Sequence, residues 1–324
     1  MNLMKRWRHG LCAALLCVGN TAIAQGFPNK PVKLIVPFPP GAATDILGRL
    51  VAQKLTEAWG QSVVVDNKPG AGSIVGAELS AKAPPDGSTI FMGHIGTHGA
   101  NPALYSKLPY DPVKDFAPVS LLVTIPNLVA VNPALPVNNI RELIDLAKSK
   151  PGALNVASPG VGTSAHLNIA LFRSLTGTDM THVPFKGSVA AMQAMVGGDV
   201  QVAFDTVTTI MPQARAGKVK VLAVSSKERS PMAPDAPPLN DAGVPGFDVA
   251  TWFAFFVPAG TPKAVIDKIN ADTVRILQSR EIAERLQGMG MNIVAGTPDQ
   301  LAAHVTSEIA RWGKVVKEAN IKIE

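Results

Sequence analysis

Val32–Asp45 reads VKLIVPFPPGAATD, and the architecture of the chain follows from it. Val32, Leu34, Ile35 and Val36 form a short apolar run of the kind that makes a parallel strand covered on both faces. Pro37, Pro39 and Pro40 follow, and proline has no N–H to give a ladder, so the strand stops there. Gly41 turns the chain. From Ala42 the spacing becomes helical, with Ile46, Leu47, Leu50, Val51 and Leu55 apolar. Such a strand-to-helix turn at the carboxyl edge of a sheet leaves backbone N–H groups and the positive end of a helix facing whatever lies above. An anion is the natural guest. Phe38, Pro40, Gly41, Ala42, Ala43, Thr44 and Asp45 are therefore candidate ligand contacts; the alternative is that Thr44 or Asp45 only caps the helix.

Upstream, Met1–Ala24 has the form of a targeting segment. Lys5, Arg6 and Arg8 precede a short apolar run, Leu11–Val18, and Ala22-Ile23-Ala24 has the small-x-small cleavage pattern. The expectation is export to the periplasm with cleavage after Ala24. Both cysteines, Cys12 and Cys17, fall in this segment, so the mature chain has no disulfide, cysteine nucleophile or thiolate metal site. Its loss leaves 27 basic and 24 acidic residues, a net charge of +3. That balance, without basic runs, gives no footprint for nucleic acid and suits modest attraction of anions. Roughly 300 residues are large for one core and comfortable for two lobes.

Strands and helices alternate along the rest of the chain. Ser62–Val65 and Thr89–Met92 read as strands. Gly70–Gly76 has GxGxxxG spacing but lacks the immediate turn and the following acidic residue of a dinucleotide fingerprint. Glycines at 93, 96 and 99 make the segment after Thr89–Met92 a loop, with Thr97 and His98 as its polar groups; His94 and His98 lack the partners a zinc site needs. Phe116–Val123 and Asn127–Val131 read as two strands broken at Pro126. Past the strand Leu154–Ala157, Ser158-Pro159-Gly160-Val161-Gly162-Thr163-Ser164-Ala165-His166 repeats the opening device, with hydroxyls at the start of a helix Leu167–Leu175. Thr163 or Ser164 is an N-cap candidate, and two helix ends facing one another would grip an anionic ligand. Ser164 and His166 are two apart, which on a helix points them away from each other, and no G-x-S-x-G elbow surrounds Ser164. Lys186 supplies positive potential or is a solvated loop lysine. Asp205 ends the strand Val200–Phe204; it caps the next helix or, if it lines the cleft, favours a ligand amine or hydroxyl.

These segments resemble the Bug/TctC family, the extracytoplasmic solute-binding proteins of tripartite tricarboxylate transport systems. PFPPGAATD is similar to the family's PFPPGGxxD, with Ala42 where a second glycine is common. Asn67–Gly76 resembles N-x-PGAGG-x-x-G, with Ser73 for a glycine. Gly96-Thr97-His98, Asn101-Pro102, Leu104-Tyr105, Leu108–Pro112 and Asp115-Phe116 match a long, specific run, GTHxxNPxLYxxLPYDPxxDF. Ser158, Gly160, Gly162, Thr163, His166 and Leu167 match S-x-GxGTxxHL, and HVPFKG at His182–Gly187 has Phe185 for a tyrosine.

The resemblance implies an α/β, two-lobed periplasmic binding protein fold, type II-like, with the ligand cleft between the lobes. Residues 25–125 and 247–324 would form one lobe and residues 126–246 the other, with the two crossings as a hinge. It implies capture of a small-molecule carboxylate by Phe38–Asp45 and Ser158–His166, without cofactor or metal, by a monomer that delivers it to membrane transporter subunits. Rivals are a sensing protein that serves a membrane kinase and an exported enzyme using Ser164, His166 or a nucleotide on Gly70–Gly76. Dicarboxylates, tricarboxylates, acidic amino acids and aromatic acids remain open as ligands.

Overall fold

The computed structural model describes residues 26–318 and Ile321. The targeting segment lies outside the described residues. The opening stretch folds as strand, turn and helix: β1 (Val32–Val36), then α1 (Ala43–Trp59). β1 pairs in parallel with β2 (Val63–Asn67) on one side and with β3 (Thr89–His94) on the other. β9 (Ala250–Pro258) runs antiparallel to β3, and β4 (Phe116–Val131) runs antiparallel to β9.

β4 belongs to two sheets. Residues Phe116–Pro126 pair with β9, while Asn127–Val131 pair with β7 (Val202–Thr206) and β8 (Lys220–Val224). β7 continues in parallel to β5 (Asn155–Ser158), and β5 to β6 (Thr181–Pro184). The sequence places a break at Pro126, and the structure corrects this: the strand continues for 16 residues through the proline. Pro126 sits opposite Ala250 at the last rung before the partners change, where a missing N–H is tolerated best. The handover is pinned by one serine. Ser225 Oγ accepts from Asn127 N at 2.9 Å and donates to the Val249 carbonyl at 2.6 Å, and the Ser225 backbone bonds both residues again.

Side chains alternate between the two faces of the sheet, as the period of a strand requires. Leu34, Val36, Ile90, Met92, Phe253 and Phe255 join one apolar cluster; Ile35, Phe91, Trp252, Ala254 and Phe256 join the other. Helices cover both faces: α1 and α8 (Lys263–Gln278) pack in the first cluster, α2 (Ile74–Ala81) and α10 (Pro298–Glu318) in the second. The remaining helices are α3 (Asn101–Leu104), α4 (Ile140–Ser149), α5 (Ser164–Thr176), α6 (Ser188–Gly197), α7 (Val207–Arg215) and α9 (Arg280–Gly288). β6 and the two-residue strand β10 (Asn292–Ile293) carry too little apolar pattern to be foreseen. The predicted loop after β3 is a second correction. Gly93 and His94 complete the strand, and Gly96–Ala100 form one turn of π-helix that runs into α3. The Tyr110 hydroxyl donates to the Thr97 carbonyl at 2.9 Å, clamping that turn.

Candidate ligand-binding cleft

The two strand-to-helix turns meet across a narrow cavity of about 30 Å³. Four helices begin on its wall. Ala42, Ala43 and Thr44 open α1, Thr163 and Ser164 open α5, Ser188 opens α6, and Thr206 caps α7. No side chain caps α1, α6 or α7, so their leading N–H groups remain available. Among the described residues no lysine or arginine lines this cavity. Positive potential here comes from helix ends and not from cations.

The β1–α1 turn is held open from beneath. Gly41 has φ +87°, which a side chain would resist, while Ala42 is extended at φ −72° and needs no glycine. Asp45 turns away from the cavity and accepts from Gly41 N at 3.0 Å, Arg49 Nε at 3.0 Å and Asn67 Nδ2 at 2.9 Å. Burial alone would raise its pKa, but these partners hold the carboxyl below the usual aspartate value. The β5–α5 turn is braced by a chain of polar groups. Ser158 Oγ meets His182 Nε2 at 2.7 Å, His182 stacks on His166 at 4.7 Å, and Gly162 N donates to His166 Nδ1.

Of the sequence-predicted residues, Phe38, Ala42, Ala43, Thr44, Thr163, Ser164 and Asp205 line the inner cavity. Gly160 and Lys186 line a wider mouth of about 550 Å³, where exposed Lys186 is the sole cation among the described residues, alongside Phe185 and Gly70–Ser73. Phe38, Pro159 and Thr163 border both spaces, so the two are neighbours. Pro40, Gly41, Asp45, Ser158, Gly162 and His166 line neither; they shape the turns.

Thr97 and His98 are placed differently from expectation. The His98 ring is fully buried and stacks on Phe256 at 3.7 Å, with Phe116 at its edge. Thr97 is also fully buried and bonds back to His94. The wide turn rotates both into the core and leaves His94, at the strand end, on the cavity wall. Pro159, within the predicted Ser158–His166 stretch, also lines it, and His94, Ile95, Ser188, Thr206, Thr251 and Phe253, not proposed as ligand contacts from sequence, complete the lining. The signal for His94 was its place at the end of a parallel strand, masked by the glycines around it.

Three polar atoms on the inner wall have no partner: His94 Nε2, Asp205 Oδ2 and Thr251 Oγ1. Burial lowers the His94 pKa to about 3 and raises that of Asp205 to about 7. Asp205 Oδ1 is already engaged, by Thr206 N at 2.7 Å and Ser188 Oγ at 3.2 Å. Asp205 lines the cleft and does not cap α7. Ser164 and His166 form no nucleophile–base pair: Ser164 Oγ accepts from Asn127 Nδ2 at 3.3 Å, and the His166 ring takes Gly162 N. Among the described residues no group of three or more His, Cys, Asp or Glu is arranged to hold a metal, and no helix is long and apolar enough to cross a membrane.

A two-lobed α/β fold that closes helix N-termini around a cavity defines a solute-binding protein. Comparison with known proteins gives the particular family. The model for the tripartite tricarboxylate transporter family receptor, TctC, matches residues 47–321. BugT of Bordetella pertussis is 33% identical over 316 residues, 97% of each chain. The Rhodopseudomonas palustris protein Rpa4515, solved with adipate, superposes with a TM-score of 0.88 at 37% identity, covering 91% of this chain and 99% of that one. MatC from the same organism, solved with bound malate, gives 0.86 at 38% identity, covering 90% and 100%. The chain belongs to the TctC family of tripartite tricarboxylate transporter receptors.

Proposed function

We propose that this protein is exported to the periplasm, captures a small carboxylate in the cleft made by the inner cavity and its mouth, and presents it to membrane transporter subunits made by other chains. The observation that carries the reading is the convergence of four helix N-termini on one narrow cavity that, among the described residues, no basic side chain lines. A carboxylate there is held by backbone N–H groups and helix dipoles, each worth about 0.3–2 kcal/mol depending on burial. Adipate and malate in two solved relatives support the same ligand class. Residues 25–125 and 247–324 act in the main as one lobe and 126–246 as the other, with the crossings, where the strand partners change at Pro126–Asn127 and Val249–Ala250, held around Ser225. The ligand residues are Phe38, Ala42–Thr44, Thr163, Ser164 and Asp205, joined by His94, Ser188, Thr206 and Thr251.

The test is a thermal-shift screen with carboxylates, amino acids and nucleotides. A ligand at 100 times its dissociation constant adds about 2.7 kcal/mol to stability and moves the midpoint visibly. A shift confined to carboxylates supports the reading. A shift by a nucleotide or neutral ester, with every carboxylate silent, overturns it.

A further inference from the structure

The cleft has two chambers of opposite chemistry. The inner one, about 30 Å³, has room for two water-sized groups, such as the oxygens of one carboxylate, since a single water needs about 10–15 Å³. The body of a ligand lies outside it. The mouth, about 550 Å³, borders the inner cavity at Phe38, Pro159 and Thr163. A second space of about 620 Å³, lined from α1, α6 and α7, shares only Ala43 and Ser188 with it.

The wall of the mouth is poor in hydrogen-bond donors. Pro37, Pro39, Pro69, Pro159 and Pro184 line it, and proline has no N–H. Phe185 N and Gly187 N are spent on the Ser158 and Pro159 carbonyls. The hydroxyls of Ser73 and Thr163 donate to the Pro37 and Gly160 carbonyls, at 3.3 and 2.7 Å. Lys186 is exposed, and an ion pair in solvent contributes little. Phe38, Val161 and Phe185 supply apolar surface instead. Phe185 stands where the HVPYKG pattern has tyrosine, so the hydroxyl of that pattern is missing from this wall. A second carboxylate pressed against it loses water without gaining donors, whereas alkyl or aryl surface gains from burial.

We propose that this receptor prefers monocarboxylates with an apolar body, whose alkyl or aryl part fills the mouth against Phe38, Val161 and Phe185, and that Phe185 sets this preference over dicarboxylates. The assignment rests on the carboxylate reading above and narrows it, by fixing the chemistry of the part of the ligand that lies beyond the helix N-termini.

The experiment is calorimetry on the chain after unfolding in guanidinium, removal of bound ligand and refolding to its original circular dichroism spectrum. The probes are acids paired by length, one end apolar or carboxylate: hexanoate with adipate, octanoate with suberate, and phenylpropionate with its para-carboxy derivative. The expected result is that the tightest monocarboxylate binds at least tenfold tighter than its dicarboxylate partner. Phe185→Tyr, which restores a hydroxyl to the wall, lowers that ratio at least threefold, and Val161→Thr, which keeps the shape, lowers it at least twofold. A ratio below tenfold in the parent overturns the apolar assignment and leaves the carboxylate reading standing. So does a ratio that neither variant lowers, which would put the body of the ligand outside the mouth. Failure of every acid in the panel overturns both.

Discussion

At the scale of single residues, buried titratable groups make this protein sensitive to acid. Burial pushes the His94 pKa to about 3 and His98 well below the ordinary imidazole value; burial and Arg173 take His166 to about 4. Each ring stays neutral when folded and takes a proton at about 6.5 when unfolded. Their contribution is fully present above pH 6.5 and is lost as the pH falls toward 3–4. Asp205 works the other way. Its folded pKa of about 7 lies above the unfolded 3.8, so its contribution is present below pH 4 and lost as the pH rises to 7. Burial likewise takes His182 to about 3; each group changes stability by up to about 1.4 kcal/mol per pH unit, four imidazoles against one carboxyl, so acidification from 6.5 to 5 lowers the melting temperature. Asp205→Asn removes the opposing slope and stabilises the protein more at pH 8 than at pH 5; calorimetric melts at the two values check this. Asp45→Ala, although Asp45 does not line the cavity, strips three hydrogen bonds from the β1–α1 turn. It is expected to cost about 1–3 kcal/mol in chemical denaturation and to weaken carboxylate binding.

At the scale of elements, the molecule repeats one device, a parallel strand that stops at glycine or proline and restarts as a helix. The device is loosest at the Gly70–Ser73 turn on the cleft mouth. Ala71 and Ser73 adopt φ of 44° and 73°, conformations that disfavour a side chain. Ser73 stands where the family pattern has glycine, and its hydroxyl returns only a long bond to the Pro37 carbonyl, 3.3 Å. Ser73→Gly is therefore expected to raise stability by about 1 kcal/mol, read as a higher denaturation midpoint with an unchanged slope. Ala42, the other departure from the family pattern, carries no such cost because its φ is −72°.

At the scale of the whole molecule, the cavity exists because two halves of the sheet close on one another, and small residues let them. An added Cβ on Gly96 would lie 2.3 Å from the Gly162 carbonyl oxygen and 2.6 Å from the His94 ring. One on Gly187 would meet Pro39 at 3.2 Å. Gly96→Ala is expected to hold the cleft ajar and weaken ligand binding at least tenfold while unfolding stays cooperative. Small-angle scattering with saturating ligand checks it: the parent compacts on binding and the variant does not. Compaction equal to the parent's would remove the steric account.

The sequence by itself determined the alternating α/β order, the family and the two turns that face the cavity. These follow from local causes: proline and glycine punctuation, period-two apolar runs, and short motifs at helix starts. It also placed Phe38, Ala42–Thr44, Thr163, Ser164 and Asp205 on turns at strand ends, where the structure finds them lining the cavity. Only the tertiary structure decided which of two histidines four positions apart lines the cavity. A π-turn after β3 carries His98 into the aromatic core against Phe256 and leaves His94 on the wall, a rotation that glycine-rich sequence does not encode. Thr251 and Ser188 were equally hidden. Each sits in an ordinary run, β9 or the start of α6, and gains its role only when strands remote in sequence end side by side. The continuity of β4 through Pro126 has the same origin: proline forbids a bond at that rung, and only the arrangement of β9, β7 and β8 shows that none is required there.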